Sequence, residues 1–173
     1  DRIEAEAECV FGQEKSISPL GDDVTNGAFL PPMLMRHDRP HDARAVHDVE
    51  AFGPVSTLMP YKELEEAVAL AARGKGSLCC SITTFDREAA ATFVREAAPM
   101  HGRILVLDRE CAKESTGHGS PMPMLVHGGP GRAGGGEEMG GLRGIKHYMQ
   151  RTAIQGHPTT LTAITQQHQP GSA

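Results

Sequence analysis

Tryptophan is absent from the 173-residue chain, and only two tyrosines and five phenylalanines are present. A core of stacked aromatic rings is therefore excluded, and burial must come from aliphatic side chains. No apolar run approaches the ~18 residues that cross a bilayer as a helix, so no membrane partner is expected. Basic residues are outnumbered, 17 against 22 acids for a net charge of −5. There is no general positive field to draw the chain onto nucleic acid or an anionic lipid surface. Cysteine is sparse as well: the four, at positions 9, 79, 80 and 111, contain no Cys-x-x-Cys pair. That spacing excludes a zinc ribbon and a small disulfide scaffold, and makes a reducing cytoplasm the expected setting. The opening Asp1-Arg2-Ile3-Glu4 resembles neither a secretion signal nor a natural start, which reads as a segment of something longer.

What is present has the length of one compact domain. Short apolar runs alternate with helical patterns from Val55 to Leu107, the spacing of consecutive βαβ units. Val55–Met59 reads as a strand stopped by Pro60. Tyr61–Arg73 reads as a helix with Leu64, Ala67, Val68 and Ala71 on one stripe. Leu78–Thr83 is a second strand, Asp86 a helix N-cap before Phe93 and Val94, and Arg103–Leu107 a third strand. Right-handed crossovers then predict an open parallel βαβαβ sheet in an α/β fold. Upstream, residues 1–12 read as a helix remnant, residues 21–27 as a turn-rich loop, and Phe29–Met35 as a strand interrupted by Pro31-Pro32.

Beyond the third strand the pattern changes. Nine of the seventeen residues in 128–144 are glycine, which predicts a loop whose backbone lies tightly against another element. The last 35 residues hold no acid, and their threonines at 159, 160, 162 and 165 favour a strand or hairpin over a helix. The chain is thus expected to divide into a first portion, 1–127, the glycine loop, 128–144, a threonine-containing segment, 145–165, and a frayed polar tail, 166–173. Three parallel strands bury little core for this length, so marginal stability is expected. An unpaired edge in the tail predicts self-association.

Four patterns carry possible chemistry. Gly129-Pro130-Gly131-Arg132-Ala133-Gly134 matches G-x-G-x-x-G, but no helix pattern follows it and no acid stands about twenty residues on, so a packing loop is the better reading. His37, His41 and His47, each followed by aspartate, suggest metal ligands; Pro40 breaks any common helical face, and surface histidines are expected instead, with no metal site. Cys111 lies near Lys113 and His118, a conceivable thiol site, whereas Cys79 and Cys80 point to opposite faces of a strand and at least one belongs in the core. Finally, Glu50 and Phe52 are two residues apart before the turn Gly53-Pro54. In an extended segment both would face the same way, so that the carboxylate accepts from ribose hydroxyls while the ring packs on a flat heterocycle.

Glu50-x-Phe52-Gly53-Pro54-Val55 resembles the E-x-F-G-P-V motif of the aldehyde dehydrogenase superfamily. Gly27-Ala28-Phe29-Leu30-Pro31-Pro32-Met33-Leu34, at the expected distance before it, is similar to that family's G-x-F-x-x-P-T-L segment. Lys113–Pro121, His127–Glu138 and Gly141–Thr152 resemble the branch of ring-cleavage semialdehyde dehydrogenases of phenylacetate degradation, so the resemblance covers nearly the whole chain. It implies NAD(P)-dependent oxidation of a CoA-linked semialdehyde to the acid, with NADP the usual acceptor. A cysteine thiol adds to the carbonyl, hydride leaves to the nicotinamide, and a glutamate activates the water that releases the product.

By motif match Glu50 would bind the nicotinamide ribose and Phe52 would pack beside the nicotinamide, while Gly117–Gly119 and Leu125–His127 form a region at the substrate end. The family's nucleophilic cysteine, general-base glutamate and dinucleotide-binding segment align ahead of residue 1, so the resemblance assigns no catalytic residue here and implies a segment inactive alone. It further implies that 1–127 is the C-terminal portion of a catalytic domain, that 145–165 is an oligomerisation segment, and that the protein is a homo-oligomer assembled through it. An inert interaction module of the same ancestry and a thiol enzyme using Cys111 with His118 are the rival readings.

Overall fold

A computed structural model describes residues 2–13, 17–21, 27–111, 113–115, 117, 128–133, 145, 149 and 151–173. They divide into two compact units, Asp1–Lys62 and Glu63–Ala173.

The first unit is a three-stranded sheet, β1 (Glu8–Phe11), β2 (Met33–Arg36) and β3 (Val55–Leu58), in that spatial order. Strand β1 runs antiparallel to β2, and β2 parallel to β3, with Met33 opposite Val55. Residues 1–12, expected as a helix remnant, form a turn followed by β1. Ile3 O accepts from the Glu6 and Ala7 amides, after which the chain extends to pair with β2. Strand β2 starts only after Pro31-Pro32, because proline offers no amide to the ladder. Met33, Met35 and Ala7 form the small core. A four-residue helix, α1 (Ala45–Asp48), is capped from far along the chain: Glu6 Oε2 accepts the Arg44 and Ala45 amides at 2.8 and 2.7 Å. The Arg44 amide bond leads the effects that hold the Glu6 carboxyl below its ordinary range.

The second unit contains α2 (Leu64–Ala72), β4 (Ser77–Thr83), α3 (Arg87–Ala97), β5 (His101–Leu107), β6 (Ala153–Gln155) and α4 (Pro158–Thr165). Its strands are all parallel, in the order β4-β5-β6, with Cys80 opposite Ile104 and Ile104 opposite Ile154. Phe93, Val94 and Ala97 of α3 pack on Ile104 and Val106 of β5, with Leu64 and Val68 of α2 joining from the predicted stripe. Asp86 caps α3 as expected, its Oδ1 accepting the Glu88 and Ala89 amides at 2.9 and 3.1 Å.

The α/β class with a parallel sheet stands, but two details of the expected fold change. The three strands of the βαβαβ run do not share one sheet: β3 pairs with β2, while β4 and β5 pair with each other and take β6 as their third strand. The threonine-rich tail is mostly helix. Pro158 has the fixed φ suited to a helix start, and the Thr165 hydroxyl is absorbed by the Leu161 carbonyl four residues back at 2.8 Å. Among the described residues of the tail Ala153–Gln155 is strand, and it pairs inside this unit with β5 as the edge of the sheet. The terminal residues, expected to fray, bond back onto α4: the Gln169 and Ala173 amides donate to the Thr162 and Thr159 hydroxyls.

Candidate functional site

Strand pairing brings the two motif segments together. Val55, at the end of the Glu50–Val55 motif, lies opposite Met33 of the Gly27–Leu34 segment, and the Met33 amide donates to Pro54 O at 2.9 Å. The Gly53-Pro54 turn is pinned by the Val55 amide on Gly53 O at 2.7 Å. Glu50 emerges just before this turn, after α1 ends at Val49 in extended conformation. Glu50 lines a cleft of about 400 Å³ together with apolar Ile3, Leu30, Met33, Met35 and Val55 and with the charged residues Arg2 and Glu4. A carboxylate on such a cleft has the chemistry to accept two hydroxyl donors of a sugar.

Phe52 departs from the expected geometry. Its φ of 43° lies in the left-handed region, so the backbone is not extended there and the two-residue spacing no longer turns Glu50 and Phe52 to one side. The ring is 93% exposed and does not line the Glu50 cleft. A bulky residue held in that backbone conformation is strained, and strain of this kind collects at binding sites. The exposed ring leaves a face open to a flat heterocycle. A carboxylate and an exposed ring are the residue types that suit a ribose and a flat heterocycle, although the backbone at Phe52 does not turn the two to one side as expected.

The other candidates sort differently. His47, expected at the surface, is buried, with Nε2 3.2 Å from Pro40 O, because the turn at Pro40 folds that carbonyl back over α1. His37 Nδ1 accepts the Arg39 amide at 3.2 Å. Among the described residues no group of three or more histidine, cysteine or acidic side chains is placed to hold a metal ion. Cys80 packs against the core beside Ile104, and burial pushes its thiol pKa up, which suits an inert thiol. The Cys111 thiol donates weakly to the Val106 and Asp108 carbonyls at 3.7 and 3.8 Å. His118, its suggested partner, lies outside the described residues, as do most of the substrate-end region and the glycine loop beyond residue 133.

The described start of that loop is pressed on the α2–β4 connection, as its glycines predicted. The Arg132 amide donates to Lys75 O at 3.0 Å, and a Cβ on Gly131 or Gly76 would drive into the Lys75 or Pro130 carbonyl respectively. Both glycines also have positive φ, 53° and 114°.

One feature had no sequence signal beyond an aspartate after a strand. Asp108, at the end of β5, is buried. Its Oδ1 accepts the Glu110 and Cys111 amides at 2.8 and 3.2 Å, and its Oδ2 accepts the Thr160 hydroxyl at 2.7 Å. Burial pushes the carboxyl pKa up, but the Thr160 bond and the two amides outweigh it and leave Asp108 below the ordinary carboxylate range.

The sequence profile of the aldehyde dehydrogenase family matches residues 1–154. The chain belongs to the aldehyde dehydrogenase family. Among curated relatives of this aldehyde dehydrogenase chain, Protein MaoC of Klebsiella aerogenes is 53% identical over 165 residues, 95% of this chain and 48% of that protein. The 3,4-dehydroadipyl-CoA semialdehyde dehydrogenase of Aromatoleum evansii is 42% identical over 129 residues, 75% of this chain and 25% of that enzyme. Aldehyde dehydrogenase LUC3 of a Fusarium species is 29% identical over 136 residues, 79% of this chain and 26% of that protein. The chain thus spans about half the length, or less, of the curated relatives it matches. Aldehyde dehydrogenases are oxidoreductases acting on aldehydes and generally use NAD(P). No helix among the described residues is long and apolar enough to cross a membrane.

Proposed function

We propose that the full-length protein carrying this chain is an NAD(P)-dependent dehydrogenase that oxidises a CoA-linked semialdehyde to its acid, in the manner of phenylacetate degradation. The observation that carries the reading is Glu50 on the wall of a cleft, with the exposed Phe52 two residues on, in a segment that resembles the family's E-x-F-G-P-V motif. The 42% identity to an enzyme named for a CoA semialdehyde supports the substrate class. When bound, the dinucleotide supplies the hydride acceptor.

In this reading the chain's own contribution is to hold that acceptor. The Glu50 carboxylate takes ribose hydroxyl donors, and the Phe52 ring packs against the nicotinamide and keeps it from swinging into water. No described cysteine serves as nucleophile in this scheme.

Replacing Glu50 by Gln keeps the shape and removes the charge. The full-length protein with Glu50→Gln is expected to bind NADP about tenfold more weakly, since a hydrogen bond to a charged group contributes about 1.5–3 kcal/mol. Fluorescence titration with the reduced cofactor checks this. An unchanged dissociation constant would remove Glu50 from the cofactor site.

A further inference from the structure

The strands of the second unit all run parallel, and ligands of open α/β sheets settle beyond the carboxyl ends of such strands. Two cavities open there. One, of about 160 Å³, is bounded by Thr84 after β4, Asp108 after β5, and His157 and Thr160 at the start of α4. The other, of about 200 Å³, is bounded by Cys111, Glu114, Ser115 and Gln155. Glu110 and His157 belong to the walls of both. Among the described residues, Glu110, Cys111, Glu114 and Ser115 of these walls belong to no helix or strand, so something other than a backbone ladder must set their position.

Asp108 does this. Its Oδ1 gathers the amides of Glu110 and Cys111 and so bends the chain immediately after β5. A second turn follows, in which the Glu114 amide donates to Cys111 O at 3.0 Å. The remaining oxygen, Oδ2, reaches across 52 positions of sequence to the buried Thr160 hydroxyl at 2.7 Å. The carboxylate therefore ties three places together: the end of the central strand, the turn that walls both cavities, and the first turn of α4. Both oxygens are engaged within the fold, which leaves Asp108 suited to fixing the wall rather than to meeting a ligand.

We propose that Asp108 is a positioning residue for substrate: anchored by Thr160, it sets the wall of Glu110, Cys111, Glu114 and Ser115 against which the CoA-linked aldehyde binds. The inference rests on the functional reading above and adds to it the residue pair that shapes the acyl side.

The test uses the full-length enzyme. Thr160→Val removes the anchor while keeping nearly the same volume, Thr160→Ser restores the hydroxyl, and Asp108→Asn keeps an acceptor for the two amides but loses the charge. Thr160→Val is expected to raise KM for the CoA-linked aldehyde about tenfold, with kcat and the NADP dissociation constant unchanged, and to speed tryptic cleavage after Lys113. Thr160→Ser should return to wild type, and Asp108→Asn should move KM in the same direction as Thr160→Val, which keeps the test open if the valine variant does not fold. A Thr160→Val enzyme with wild-type KM overturns the positioning role. So does a variant whose KM rises while kcat, cofactor affinity and thermal stability all fall, since that is general loosening. A wild-type enzyme that turns over no CoA-linked aldehyde overturns the functional reading itself, and is seen before any variant is made.

Discussion

His101 occupies the first position of the central strand β5 with 4% of its surface exposed. Its Nδ1 shares a hydrogen bond with Ser77 Oγ at 2.6 Å, and its Nε2 has no partner among the described residues. Burial disfavours the imidazolium and lowers the pKa below the usual 6.5. The unfolded chain keeps an ordinary histidine, so as pH falls below 6.5 the unfolded state takes up a proton that the folded state refuses. Stability from this group is full above that value and declines from there toward the lowered folded value. The urea midpoint is therefore expected to drop between pH 7.5 and 5.5, roughly two solution conditions astride the histidine range, and to drop less in a His101→Gln variant. Equal slopes in the two proteins would assign the pH response elsewhere.

Residue-scale legibility followed how local each partner is. The Asp86 cap was readable because its partners are the amides two and three residues on. His47 was not, since its burial depends on a turn that brings the Pro40 carbonyl onto it. The positive φ of Phe52 left no mark in residue type, because the left-handed region is usually signalled by glycine or asparagine.

At the scale of elements, the strands and helices of residues 55–107 were visible from periodicity, whereas their grouping was not. Periodicity reports which face of an element is buried and says nothing of which strand lies beside it. Strand β3 therefore went with β4 and β5 by proximity in sequence, although β2 offers Met33 to Arg36 as a matching parallel ladder. The same limit governs α4. Threonine favours strands on average, yet Thr160 finds its partner in Asp108, and that tertiary bond together with Pro158 at the helix start overrides the preference. Helix α3 carries both a local signal and a core face, so its cap can be tested alone. Asp86→Ala is expected to lower stability by about 1 kcal/mol, the usual value of an N-cap acid, with Asp86→Ser recovering most of it. Chemical denaturation measures this; a loss under a quarter of that value would mean the cap amides find water at no cost.

On the scale of the whole molecule, the candidate site was legible only where a motif coincided with a strand pair. Glu50 and Val55 were recognisable as a motif, and parallel pairing of β2 with β3 places that motif on a cleft. The Asp108–Thr160 tie was invisible because it joins residues 52 positions apart in sequence through one hydroxyl. Family membership is carried by residues 1–154, and the curated relatives are about twice as long or more. The central claim therefore belongs to the full-length protein: it oxidises a CoA-linked semialdehyde with a nicotinamide dinucleotide. The most direct measurement mixes that purified protein with NADP or NAD and a CoA-linked semialdehyde, and follows reduced nicotinamide by absorbance and the acid by mass spectrometry. The account predicts equal amounts of reduced cofactor and acid, formed faster than from an aldehyde without CoA. A folded protein that binds the dinucleotide yet forms neither product would contradict it.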